Sequence, residues 1–147
     1  MGKNGFTLLE LVITMVILGI LVGVGTPVYF SHVKEARMAE AKLNIDRIVL
    51  QLKSNLTRYG YMGTGEINTG PSMQLSCTKA DLESRLGMTL PPEIKERWDI
   101  DVSAQYYFTG DILNLSGSIV FTGTSSIPFH GTLKVTFDLD TLEFTVE

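Results

Sequence analysis

Residues 5–30 read GFTLLELVITMVILGILVGVGTPVYF. From Leu11 to Phe30 there are twenty consecutive uncharged residues, and the next charge is Lys34. About 20 such residues cross a hydrocarbon core as a helix, so this stretch is predicted to span a membrane. Its polar exceptions, Thr14 and Thr26, can bond back to their own helix through the hydroxyl. A secretory signal peptide would have a shorter apolar stretch and a small-x-small cleavage site. Here the run passes without a break into an amphipathic pattern. Lys3 before the span and Lys34, Arg37 and Lys42 after it give opposed signals for orientation.

Glu10 stands at the edge of that span. An ionised carboxylate in hydrocarbon costs at least roughly 2 to 3 kcal/mol. It must be paired, protonated, or held in the wet headgroup layer. Gly19, Gly23, Gly25 and Pro27 make a weak section of helix, because each glycine costs about 1 kcal/mol against alanine and proline removes a donor. Small residues spaced like Gly19 and Gly23 also allow helices to approach closely.

Beyond Pro27 the apolar residues Ala41, Ile45, Ile48, Val49, Leu52, Leu56 and Tyr59 recur at helical spacing, with Lys42, Asp46, Arg47, Lys53 and Arg58 between them. Gly60 ends the helix. Residues 60–77, GYMGTGEINTGPSMQLSC, read as a loop. Thr78 and Asp81 resemble a capping box that opens a short helix from Asp81 to Leu86, ended by Gly87. Pro91-Pro92 punctuates the next connection.

The rest alternates at period two. Ile100, Val102, Ala104, Tyr106 and Phe108 fall on one side of a strand, and Leu113, Leu115, Gly117, Ile119 and Phe121 on the next. After the polar loop TGTSSIPFHG come Leu133, Val135, Phe137 and Leu139, then Leu142, Phe144 and Val146. This predicts four antiparallel strands in two hairpins with one apolar face. The amphipathic half of the N-terminal helix can cover that face. The expected class is α+β: a long helix, half transmembrane and half amphipathic, packed on a four-stranded antiparallel sheet.

The chain has 147 residues and a net charge of −4. Residues 1–59 carry seven basic and four acidic side chains; residues 60–147 carry five and twelve. An acidic head repels phosphate, so nucleic acid is not an expected partner. Cys77 is the one cysteine, so no intramolecular disulfide can form; His32 and His130 stand far apart in sequence, and no zinc cluster is expected. The glycines of 60–70 lack the Gly-Lys-Ser/Thr of a phosphate cradle. No nucleophile elbow or triad pattern occurs, so no enzyme and no cofactor is expected. Asp99, Asp101, Asp111, Asp138 and Asp140 could supply oxygen ligands to calcium, but aspartate is common in turns and on wet strand faces. No metal is therefore expected. Asn55-Leu56-Thr57 and Asn114-Leu115-Ser116 match a glycosylation sequon, but in a helix and a strand.

Gly5-Phe6-Thr7-Leu8-Leu9-Glu10, with a short lysine-bearing leader before it and an apolar helix after it, resembles the N-terminus of type IV pilins and type II secretion pseudopilins. The likeness extends through Gly19, Pro27 and Tyr29. It implies a leader at 1–5, a transmembrane and filament-core helix at 6–30, an amphipathic continuation at 31–59, and a globular head at 60–147, together a pilin-like fold. It implies cleavage between Gly5 and Phe6 by prepilin peptidase and N-methylation of Phe6. Glu10 would pair with the Phe6 amine of a neighbouring subunit during assembly. Gly19 and Pro27 would belong to a section that extends or melts as subunits pack.

The partners so implied are further copies in a helical filament, other minor pilins or pseudopilins, the peptidase, an inner-membrane assembly platform and a motor ATPase. The lipid bilayer would hold the subunit before assembly. The implied location is the inner membrane, single-pass, with the head outside the cytoplasm, and then a surface pilus or a periplasmic pseudopilus. Many relatives close a C-terminal loop with a disulfide, a device this chain lacks. Major pseudopilins carry a C-terminal calcium site. A monomeric single-span protein with a ligand-binding head is the competing expectation.

Overall fold

The computed structural model describes residues 7–109, 112–123 and 132–147. Helix α1 runs Leu8–Tyr59. It is followed by β1 (Ile67–Asn68), β2 (Met73–Thr78), α2 (Leu82–Leu86), α3 (Pro92–Arg97), β3 (Trp98–Thr109), β4 (Ile112–Gly123), β5 (Leu133–Asp138) and β6 (Phe144–Val146). The chain divides into two compact units, Met1–Ala39 and Glu40–Glu147.

In the first unit every apolar side chain from Leu8 to Tyr29 is exposed. This part of α1 is long and apolar enough to cross a membrane. Thr14 donates its hydroxyl to the Leu11 carbonyl at 2.9 Å, and Thr26 to the Val22 carbonyl at 2.6 Å, so neither presents an unbonded hydroxyl. The helix is continuous through Pro27.

The second unit is built on a meander. Among the described residues six strands lie in chain order, each antiparallel to the next. The expected four strands are thus six. The turn-forming residues of 60–72 obscured the alternation Met73, Leu75, Cys77, which continues the inner face of β3 through the pairs Leu75↔Ala104 and Cys77↔Val102. β1 adds two residues at that edge. Pro92, expected only to punctuate, opens α3 at a position where a helix needs no backbone donor.

The inner face of the sheet buries Trp98, Ile100, Val102, Ala104 and Tyr106 from β3 with Ile119, Phe121, Val135 and Phe137 from its neighbours. The helix stripe Ala41, Ile45, Ile48, Val49, Leu52 and Leu56 covers it. Trp98 fits because the facing residue is Gly123, where a Cβ would stand 2.7 Å from the indole ring. The ring meets Phe121 edge-on at 6.0 Å, and Nε1 donates to Glu40 Oε2 at 3.4 Å.

The inner row ends before the sheet does. Phe108 and Leu113 were expected inside, but they are 65% and 40% exposed. α1 stops at Tyr59, and the Tyr106 hydroxyl, donating to the Gly60 carbonyl at 2.9 Å, marks the limit of the cover. Leu142, expected on the last strand, lies before it at φ +60° and is exposed.

Two asparagines interrupt the apolar stripe. Asn55 is 6% exposed and saturated: Nδ2 donates to the Met62 and Leu86 carbonyls at 2.7 and 3.0 Å, and Oδ1 accepts from Gln51 Nε2 at 3.1 Å. It clips the chain after α1 and the end of α2 onto the helix. Glu66 closes the 60–66 loop by accepting the backbone N–H groups of Met62 and Gly63. Asn44 donates to the Glu40 carbonyl at 2.8 Å, and among the described residues its buried Oδ1 accepts no hydrogen bond.

The connections on the far side are held by two carboxylates. Asp81 Oδ1 accepts the Thr78 N–H at 2.7 Å and its hydroxyl at 3.0 Å, and Oδ2 meets Arg85 Nε at 2.7 Å. This is one half of the expected capping box, with the hydroxyl donating rather than capping. Gly87 ends α2 in the left-handed conformation, φ +66°. Glu83 accepts the Leu90 N–H at 2.7 Å and pairs with Lys95. The Thr78 N–H bond lowers the Asp81 pKa most, and the Leu90 N–H bond does the same for Glu83.

A carboxyl depressed in the folded state stabilises the fold above its unfolded pKa of about 4. That stability is lost as pH falls through the folded value. The melting temperature of the chain should therefore drop as pH falls below about 4. Asp81→Asn should flatten that dependence. An unchanged acid profile in the variant would remove Asp81 from the explanation.

Candidate functional site

α1 begins with a reciprocal cap. The Thr7 N–H and hydroxyl both donate to Glu10 Oε2 at 3.0 Å, and the Glu10 N–H donates to Thr7 Oγ1 at 3.3 Å. Thr7-Leu8-Leu9-Glu10 is thus a capping box, with threonine at the cap and glutamate three residues on. The first helical bond follows, Leu11 N–H to the Thr7 carbonyl at 3.3 Å. The positive end of the helix dipole favours an acid here.

Among the described residues, then, Glu10 is held by hydrogen bonds from Thr7 rather than by an opposite charge. Among the described residues, its Oε1 accepts no hydrogen bond, so one oxygen remains available to a partner. The sequence reading recognised the acid but not its cap. The signal was present, since Thr-x-x-Glu before an apolar run is the standard mark of a helix start.

Gly5 and Phe6, the expected cleavage and methylation residues, lie outside the described residues. Gly19 and Gly23 fall one turn apart on α1. A Cβ at Gly19, Gly23 or Gly25 would meet nothing within 4 Å. Among the described residues, nothing in the chain therefore calls for glycine there. Pro27 lies inside the helix and offers no N–H to the carbonyl four residues back, that of Gly23. Glu10, Gly19 and Pro27 are not brought together; they are spread along one helix at 1.5 Å per residue, roughly 13 and 25 Å from the acid.

Residues 1–26 match the prokaryotic N-terminal methylation motif. That motif is the type IV pilin and pseudopilin signature, and the N-terminus of this chain carries it. The matched segment includes Gly5, Phe6, Glu10 and Gly19, and stops one residue before Pro27. No curated protein and no solved structure matches the chain. The motif and the apolar helix together fit a membrane-anchored, pilin-like protein.

The acids of the head have local duties. Asp138 Oδ1 accepts the N–H groups of Asp140 and Thr141 at 2.8 and 3.1 Å, and Asp140 Oδ2 accepts the Gly117 N–H at 3.3 Å. Asp99 lies 3.8 Å from Lys79. Asp111 and His130 lie outside the described residues. Among the described residues, no three His, Cys, Asp or Glu side chains stand close enough together to hold a metal ion.

Asn55 is buried with its amide fully bonded, so its sequon is closed to modification in the folded head. Cys77 is 2% exposed. Burial, then Asp81, pushes its thiol up to about 11. At pH 8 the thiolate is therefore about a hundredfold scarcer than in an open cysteine. Native chain should resist a thiol-reactive dye, and denatured chain should label at once. Rapid native labelling would mean that the β2 edge opens.

Proposed function

We propose that the chain is a structural, non-catalytic subunit of a type IV pilus-like filament. It is made as a precursor in the inner membrane, cut by prepilin peptidase between Gly5 and Phe6, and methylated on Phe6. It then polymerises through α1, with the heads on the outside. The observation that carries this reading is the methylation motif over residues 1–26, coincident with an exposed apolar stretch of helix, Leu8 to Tyr29, whose one acid, Glu10, caps its first turn.

Cleavage creates a cationic amine one residue before Thr7. In a packed bundle of such helices, the open oxygen of Glu10 can accept that amine from a neighbouring subunit. Lipid makes an unpaired charge costly, so the partner supplies a driving force for docking and fixes register. Open glycine notches at Gly19 and Gly23 favour close helix contact.

The test is the mass of the N-terminal peptide from protein made in its native host. The expected peptide begins at Phe6 and carries one added methyl group. A peptide that still begins at Met1, in cells with active prepilin peptidase, would sink the filament reading in favour of a monomeric single-span protein. A type II secretion pseudopilin shares the same maturation. Polymer on the cell surface rather than in the periplasm separates the pilus from it.

A further inference from the structure

Two tyrosines stand side by side where α1 ends. Tyr59 and Tyr61 stack with 5.6 Å between ring centroids and 25° between planes, and they are 61% and 41% exposed. They wall an open cavity of about 220 Å³. Gln51, Asn55 and Thr64 line it, with Arg85 at its side. All of it belongs to the unit Glu40–Glu147, and it does not rest on the filament reading.

The polar groups of this cavity divide into spent and unspent. Asn55 has used its whole amide on Met62, Leu86 and Gln51. Arg85 has its charge met by Asp81 at 2.7 Å, and its Nη1 donates to the Ser76 carbonyl at 3.1 Å. Among the described residues, Gln51 Oε1, Thr64 Oγ1 and the two phenol oxygens make no hydrogen bond. The lining therefore combines two aromatic rings with uncharged donors and acceptors, beside an arginine that is already paired.

That array selects by chemistry. An anion finds its cation already paired, and a cation finds no free carboxylate. A purely apolar ligand would strand the amide and hydroxyl groups. A neutral sugar ring satisfies both halves: its C–H face lies on an aromatic plane, and its hydroxyls reach the amide oxygen and the phenols. The volume is below the roughly 300 Å³ at which pockets for drug-sized ligands begin, which suits one ring. We propose that this cavity binds a single uncharged sugar residue, such as the terminal residue of a glycan.

The experiment uses the full chain in a detergent without a sugar headgroup. Saturation-transfer NMR is recorded with methyl glycosides of glucose, galactose and N-acetylglucosamine, and with glucuronate as the anionic comparison. The expected result is saturable transfer to the ring protons of at least one neutral glycoside, with a Kd of about a millimolar. Tyr59→Ala and Tyr61→Ala should each weaken it by about fivefold or more. Tyr107→Ala, at a tyrosine on β3 that is also 41% exposed, should leave it unchanged.

Tyr61→Phe keeps the stack and removes one hydroxyl, and should weaken binding by about threefold. It decides the matter if the alanine variants fold poorly. No saturable transfer from any neutral glycoside would overturn the assignment. So would transfer undiminished in the tyrosine variants, or stronger transfer to glucuronate.

Discussion

Gly117→Ala is expected to lower the melting temperature of the chain by roughly 10 °C or more. Gly117 sits in β4 at φ +119°, a conformation that side chains rarely adopt. A Cβ there would stand 2.1 Å from the Ser103 carbonyl oxygen and 3.0 Å from Ala104 Cα. Both are backbone atoms of β3, the strand with which β4 makes its longest pairing, so no side chain can swing aside. The same residue joins the sheet to the loop that follows β5: its carbonyl accepts the Leu139 N–H at 2.9 Å, and its N–H donates to Asp140. Relieving the clash by moving β4 breaks those bonds as well. The combined cost is about 3 kcal/mol or more, in the range of overpacking plus backbone strain. Gly60→Ala is the comparison. Gly60 also has positive φ, +76°, but a Cβ there meets nothing within 4 Å. It should cost only about 1 to 2 kcal/mol, the strain of the left-handed conformation. Equal melting temperatures for Gly117→Ala and wild type would show that β4 relaxes at this point without loss.

What the sequence disclosed follows from how its signals arise. The stripe was legible from Ala41 to Leu56, because burial against one sheet face imposes a period of three and four, but its expected last member, Tyr59, is exposed. β3 was legible for the same reason at period two. The alternation itself does not say where its cover ends, so Phe108 and Leu113 were assigned to the inside although α1 stops short of them. β2 was missed because Gly, Pro and Ser crowd the residues before it, while its three inward side chains gain their meaning only from pairing with β3. Asn55 could not be recognised as a clip, since its partners Met62 and Leu86 lie 7 and 31 residues away and are backbone carbonyls. At the candidate site the acid was conspicuous because charge in an apolar run is costly. Its cap was overlooked because a threonine beside it carries no such cost.

Glu10→Gln should leave the chain cut after Gly5 but reduce filament yield by at least about tenfold. The substitution separates two duties of one side chain. A glutamine oxygen still accepts the Thr7 N–H and hydroxyl, so the cap and the start of α1 survive. What is lost is the negative charge. If the cap were the purpose of Glu10, glutamine would assemble normally and alanine would not. If the purpose is to receive a neighbour's Phe6 amine, both variants should fail to a similar degree. A charge-assisted hydrogen bond contributes about 1.5 to 3 kcal/mol, or roughly ten- to a hundredfold in association, each time a subunit joins. Polymerisation repeats that step, so the deficit in filament should be large even where membrane levels of the processed subunit are normal. The measurement pairs N-terminal mass with the amount of sheared filament from the same cells. Wild-type amounts of filament from Glu10→Gln would discard the charge pairing and leave Glu10 as a helix cap. Loss in both variants, with the Phe6 peptide intact, would place the acid at the contact between subunits, where the uncut chain holds it ready on Thr7.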